Sequence, residues 1–354
     1  MSLPFRMLVP LGLVAAFVLP ATAAQAEVFC VGAPAGCHGT ASATLQSALD
    51  AAAALSGADR VEVDSGVTAH GFTITAGNAV ELVGVDGSPT IVADGADPVT
   101  VDEPQATVRG LAFQAGGSGT PAPIDLRRGT IADSSIVNAT TGTAVRVVDG
   151  TLRGTHVTSG TAAGAVGVLA DSGTATLEDT SVEGTTGIVA DGATLVLYRV
   201  RVKAGAILSA GPAGGSALRV TAGSTVTVDD SAFALGGASD DAAVDVRATA
   251  GATTVTLRSV TVHPLPNDNL PTVSQGVRAA CSGNGTADVE VRDSVVTAYS
   301  TDLVSAGAGC SIDRQGAAYA TADVTGGATL DAGSFLFDTP VMGRPWVEAT
   351  PTFG

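Results

Sequence analysis

The 354 residues carry 34 acidic against 17 basic side chains, a formal net charge of −17, and an acidic surface excludes electrostatic capture of nucleic acid or of an anionic membrane. Aromatic residues make up only 4% of the chain and charged residues 14%, while Gly, Ala, Thr, Ser and Val dominate. That composition is a poor recipe for a helical globule and suits narrow β-coils packed with small and β-branched side chains.

The chain opens as a targeting segment: Arg6, an apolar run from Met7 to Leu19, and the small-x-small triad Ala24-Gln25-Ala26. The run is too short for a membrane span, and no later stretch is long and apolar enough for one. The expectation is a signal peptide over 1–26, cleavage after Ala26, and a product secreted to the extracellular space. Removing Arg6 takes the formal charge from −17 to −18.

Four cysteines in such a chain suggest two bridges. Three connectivities exist, and spacing favours one: Cys30–Cys37 closing a small loop, and Cys281–Cys310, 29 residues apart. Stacked coils lie roughly 4.8 Å apart and bridged Cα atoms roughly 4.4–6.8 Å, so the second pair fits neighbouring coils. The histidines (His38, His70, His156, His263) are scattered, and none has ligand spacing to a cysteine, so no metal site is expected.

Residues 40–56 read as the one helix, with Leu45, Leu49 and Ala52 or Ala53 on one face and Ser42 or Thr44 as cap. With the disulfide loop it forms an N-terminal segment over 27–58. Period-two strands then begin at Val61-Glu62-Val63, Phe72-Thr73-Ile74, Val80-Glu81-Leu82 and Thr90-Ile91-Val92, and continue to roughly residue 300.

From Val108 a six-residue pattern recurs: VRGLAF, IADSSI (Ile131), LRGTHV (Leu152), LEDTSV (Leu177), LYRVRV (Leu197), VDDSAF (Val228), LRSVTV (Leu257) and VRDSVV (Val291). The spacings of 23, 21, 25, 20, 31, 29 and 34 residues are those of a coiled stack. A second series runs in step, with central residues Ile124, Val145, Val168, Ile188, Leu218, Val244 and Val277, so each coil holds at least two strands. Within the six-residue pattern the inward positions are 0, 3 and 5, and that parity switch marks a corner at positions 1 and 2. The fold class is therefore all-β: a single-stranded right-handed parallel β-helix (a solenoid) over 59–325, capped by the N-terminal helix, followed by a C-terminal tail over 326–354. A monomer is the expected state.

The run TLQSALDAAAA, a short Gly-Ala-Asp turn and Arg60-Val61-Glu62-Val63 resemble the opening of secreted bacterial right-handed β-helix proteins of the pectin-lyase-like superfamily. The tail Leu330-Asp331-Ala332-Gly333 with Gly343-Arg344-Pro345 resembles the end of many such proteins, although their usual closing segment is absent or reduced here. The resemblance implies the fold across the mature chain and says little of chemistry, because such coils host lyases, hydrolases, adhesins and inert spacers. Polygalacturonases of that superfamily need an Asp pair, a His-Gly and an Arg-x-Lys in set order. Here Arg201-Val202-Lys203 precedes Asp229-Asp230, and the His-Gly pairs, His38-Gly39 and His70-Gly71, lie far upstream.

Charge concentrates on four successive coils: Glu178-Asp179, then Tyr198-Arg199 with Arg201 and Lys203, then Asp229-Asp230, then Arg258. One reading is a ladder of opposite charges at cross-strand spacing. The other is a carbohydrate groove, with Tyr198, Arg199, Arg201 and Lys203 as ligand-binding candidates and Asp229, Asp230 and Arg258 as weak catalytic candidates. In that second reading clustered Asp would hold Ca²⁺ and an arginine would act as base, though no calcium motif is present and no cofactor is implied. Asp240-Asp241 and the excursion His263 to Pro271 read as solvated turn and proline-stiffened spacer. The leading expectation is a structural or glycan-binding protein whose partner is an extracellular polysaccharide. The alternative is a polysaccharide lyase or glycoside hydrolase acting on the 178–258 face. An enzyme requires two carboxylates roughly 5–10 Å apart facing open solvent; a scaffold predicts those acids paired with Arg199, Arg201 and Arg258.

Overall fold

A computed structural model describes residues 26–32, 37–55, 57–75, 77, 79–116, 122–205, 215–221, 223–236, 242–265, 275–297, 299–319, 322–325, 329–330 and 335–336. Residues 1–25, which hold nearly all of the expected leader, Asp240-Asp241, most of the His263–Pro271 excursion and most of the tail lie outside the described residues.

The chain is a parallel β-helix. Every pairing between strands described is parallel, each strand bonding to its counterpart one coil away, for example Thr174–Glu178 to Thr194–Tyr198 and onward to Thr225–Asp229. The eight leading residues of the repeated pattern fall in one vertical row: Val108, Ile131, Leu152, Leu177, Leu197, Val228, Leu257 and Val291 pair in succession. All are fully buried. The second series does the same, from Ile124 through Val145, Val168, Ile188, Leu218 and Val244 to Val277. A run of polar-flanked aliphatics at this spacing has one way to leave water, which is to line a shared interior.

Each coil has three faces. The second half of the six-residue pattern is a strand of its own, such as Ser181–Gly184 or Arg201–Ala204, in a separate sheet. Among the described residues that sheet has 12 strands. Among the described residues the first and third faces form a single sheet of 22 strands, because Val99–Arg109, Ile124–Ala132 and Thr143–Arg153 run unbroken through the corner between them.

From Gly110 to Gly316 the corner between the first and second faces is a single left-handed residue per coil. Asp133, Asp179, Arg199, Asp230, Ser259 and Asp293 have φ of 46°, 50°, 53°, 49°, 54° and 46°, and Gly110, Gly154 and Gly316 hold the same place. This is position 2 of the pattern, where Gly, Asp and Ser gather because short polar side chains tolerate that backbone region best. The corner is hydrogen-bonded from coil to coil: Asp179 N donates to Tyr198 O (3.0 Å), Arg199 N to Asp229 O (3.1 Å) and Asp230 N to Arg258 O (3.1 Å). Where the next residue is a hydroxyl it finishes the corner. Ser231 Oγ donates to Asp229 O (2.7 Å) and accepts from Val200 N one coil below (3.0 Å).

The helix is shorter than its composition suggests, Leu45–Ala53 instead of 40–56. Thr44 sets its start: its side chain accepts from Ser47 N (3.1 Å), and Ser47 Oγ accepts from Thr44 N (3.2 Å). Thr40–Ser42 pairs with Phe29–Val31 as strand. Leu45, Ala48, Leu49 and Ala52 are buried against the first coil, so the helix closes the lower end of the core. The upper end extends past residue 300, with Thr301–Ala306 and Cys310–Gln315 still in register on the coil before. Cys281 and Cys310 are bridged across those coils with Cα atoms 5.6 Å apart, and Cys30 and Cys37 at 6.3 Å.

Candidate functional site

The first face and its corner place the charged residues of 178–258 in two adjacent columns. Glu178, Tyr198, Asp229 and Arg258 stack one above the other by strand register. Asp179, Arg199, Asp230 and Ser259 form the left-handed column beside them. The second face carries His156, Ser181 and Arg201 in one column and Thr158, Glu183 and Lys203 in the next.

The acids are committed to arginines of neighbouring coils. Arg199 grips Asp179 at both oxygens, Nε to Oδ1 at 2.5 Å and Nη2 to Oδ2 at 2.6 Å, and reaches Glu178 at 3.4 Å. Arg258 Nε donates to Asp229 Oδ1 at 2.6 Å. Lys203 lies 3.4 Å from Glu183. Arg201 is exposed and makes no ion pair among the described residues, so the expected partnership with the acids fails at that position. Asp230 is also exposed, and it influences Arg258 through space without a side-chain bond of its own among the described residues.

These pairings have chemical consequences. The guanidinium of Arg199 holds the Asp179 carboxyl below the ordinary carboxylate range, chiefly by direct hydrogen bonding. An acid shifted that way stays ionised at neutral pH and cannot donate a proton to a leaving group. Hydrogen bonding to Asp229 raises Arg258, and hydrogen bonding to Asp179 raises Arg199. Elimination by an arginine base needs the opposite shift, so neither guanidinium is prepared for that role. Tyr198 keeps its ring at the surface edge with the Arg199 guanidinium stacked over it, 3.9 Å from the centroid.

Two further clusters escaped the sequence reading. On the third face Asp245 is fully buried, accepting from Arg247 Nε (2.6 Å) and Arg278 Nε (2.8 Å). The signal was present: the polar residue of each second-series strand runs Arg219, Asp245, Arg278 in register, a column of alternating sign. On the second face His156 is held between Ser181 Oγ (Nδ1, 2.6 Å) and Thr158 Oγ1 (Nε2, 3.0 Å), all three at the solvent side. Among the described residues no group of three or more His, Cys, Asp or Glu side chains is arranged to hold a metal ion, and no helix is long and apolar enough to cross a membrane. Asn138 opens an Asn-Ala-Thr glycosylation pattern, but it is 1% exposed and its Oδ1 accepts from Thr140 N (3.0 Å).

No protein-family model and no curated protein matches the chain. Solved structures do resemble it. An alginate lyase from Paenibacillus sp. str. FPU-7 aligns at 12% identity and a TM-score of 0.46, over 87% of this chain and 99% of that one. The pectate lyase Pel9A aligns at 10% identity and 0.39, over 90% and 80%. Escherichia coli ybhc aligns at 12% identity and 0.35, over 86% and 77%. The coil itself stands on this chain's own strand register, and the site on its own side chains.

Proposed function

We propose that this chain is a secreted extracellular scaffold whose 178–258 face holds a polysaccharide without cleaving it. One observation carries the reading: Glu178, Asp179 and Asp229 are each bonded to an arginine one coil away, Asp179 at both its oxygens. Carboxylates engaged in this way order a surface and are poorly placed to exchange protons with a sugar. The groups that remain to meet a ligand are the Tyr198–Arg199 stack, the exposed carboxylate of Asp230 and, around the corner, Arg201. A ring edge beside hydrogen-bond donors suits the mixed apolar and hydroxylated face of a sugar. The net charge favours a neutral polysaccharide over a polyuronate, whose carboxylates the acidic surface repels.

The test is a glycan array run beside assays for new reducing ends and for unsaturated products. The expected result is binding of neutral glycans, weakened by Tyr198→Ala, with no product from any bound polysaccharide. Release of reducing ends or unsaturated sugars, lost in Asp229→Asn or Arg258→Ala, would establish the hydrolase or lyase alternative instead.

A further inference from the structure

Asp59 opens the first strand of the lowest full coil and is 1% exposed. Its Oδ1 accepts from the backbone nitrogen of Glu27 at 2.9 Å. Its other oxygen, Oδ2, is buried and has no hydrogen-bond partner. Among the described residues no cation pairs with this carboxylate. The adjacent arginine, Arg60, is engaged by Glu62 (2.7 Å) and Glu81 (2.9 Å). A buried carboxylate with one satisfied oxygen and no counter-charge is costly to keep.

The partner it has is a single amide hydrogen, and that hydrogen sits one residue past the small-x-small triad that ends at Ala26. The position is fixed from both sides. Val28–Val31 lies in parallel register on Asp59–Asp64, Arg60 N donates to Glu27 O at 2.9 Å, and Cys30 is bridged to Cys37. A main-chain amide offers one hydrogen and no net charge. An α-ammonium at the same point offers three hydrogens and a full positive charge, enough for both oxygens.

We propose that the Ala26–Glu27 bond is a processing site and that the α-ammonium freed at Glu27 is captured by Asp59 as a buried ion pair that locks the base of the coil. The proposal rests on the reading that 1–26 is a leader removed by a peptidase of small-x-small specificity. In that step water adds to the Ala26 carbonyl carbon and the Ala26–Glu27 C–N bond breaks. Ala26 leaves as a carboxylate, and the Glu27 nitrogen takes up the protons to become the ammonium. The uncut chain cannot make this pair, so the finished fold belongs to the processed product.

The chain contains one lysine, Lys203, so the processed protein has two amines and an internal control. The full chain is expressed with its leader in a secreting host, and the secreted product is sequenced from its N-terminus. It is then treated with an amine-acetylating ester at neutral pH, native and in urea. The expected product begins at Glu27, labels at Lys203 in the native state, and labels at Glu27 at least about tenfold more slowly native than unfolded. D59N, which keeps the shape and removes the charge, restores labelling of Glu27 in the folded state. A product beginning at Glu27 whose α-amine labels equally fast native and unfolded overturns the capture. A product beginning elsewhere overturns the processing site itself, and the two failures are read separately.

Discussion

Asp179 and Arg199 meet across one step of the coil with both carboxylate oxygens engaged, and each occupies the left-handed corner of its own turn, at φ of 50° and 53°. The corner thus does two things at once. It turns the backbone from the first face to the second, and at these two turns it aims the side chains at one another. Asp tolerates that region well; Arg does so rarely, and here the grip on Asp179 helps hold it there.

That relationship gives Asp179 a pH signature. Arg199 lowers its carboxyl, so the folded value lies below the unfolded one of about 3.9. The resulting stability is full above that value and is lost as the pH falls through the lower, folded value. The side chain is 45% exposed, so solvent screening limits the effect to a few tenths of a kcal/mol up to about 1 kcal/mol. Asp179→Asn, which adopts the corner equally well, is expected to melt slightly below the parent at neutral pH. The two melting curves are expected to converge as the pH falls below that folded value and the parent carboxyl protonates. Thermal denaturation across that range measures the gap.

The core row sets a larger scale. Leu197 is fully buried between Leu177 and Val228, and Leu197→Ala is expected to cost about 3 kcal/mol in transfer and cavity terms together. Val137, 43% exposed on the second face, is expected to accept Thr with a change below about 0.5 kcal/mol. Urea midpoints at unchanged slope report both.

Asp245 separates a buried pair from a surface one. It is fully buried between Arg247 and Arg278, so Asp245→Ala removes the acid and leaves two guanidinium groups facing each other, at about 3 kcal/mol. Arg127, 53% exposed and paired with Asp125, is expected to change stability by about 1 kcal/mol or less as Arg127→Ala. Chemical denaturation of the two variants side by side checks the contrast.

The sequence carried the architecture because a solenoid repeats its message. Eight aliphatic residues at spacings from 20 to 34 all landed in one row, and so did the seven of the second series. Its parity switch also located the corner, though not the left-handed backbone there. The short strand of the second face was harder to see, since pieces such as His156–Thr158 have no periodicity of their own and are held by their neighbours above and below. The helix was overextended because Ala-rich composition does not show that Thr40–Ser42 has a strand to join. The repeat brought the candidate residues onto neighbouring coils, but whether Arg199, Arg201 or Arg258 takes a given acid depends on side-chain reach across coils. The contact of Glu27 with Asp59, 32 residues apart, needed the seat of the N-terminal strand to be known.

The one-coil register on which both the stacked core and the charge pairing depend has a direct measurement. Thr176, Val196 and Thr227 are half-exposed neighbours on three successive coils of the first face. Cysteines at 176 and 196 lie one step apart, roughly 4.8 Å, within bridging reach. Cysteines at 176 and 227 lie two steps apart, roughly 9.6 Å, beyond the limit of about 7 Å for a disulfide. Mild oxidation followed by non-reducing peptide mapping is expected to join Thr176→Cys to Val196→Cys and to leave the Thr176→Cys, Thr227→Cys variant open. A bridge in the second variant without one in the first would contradict the stacked register and the site built on it.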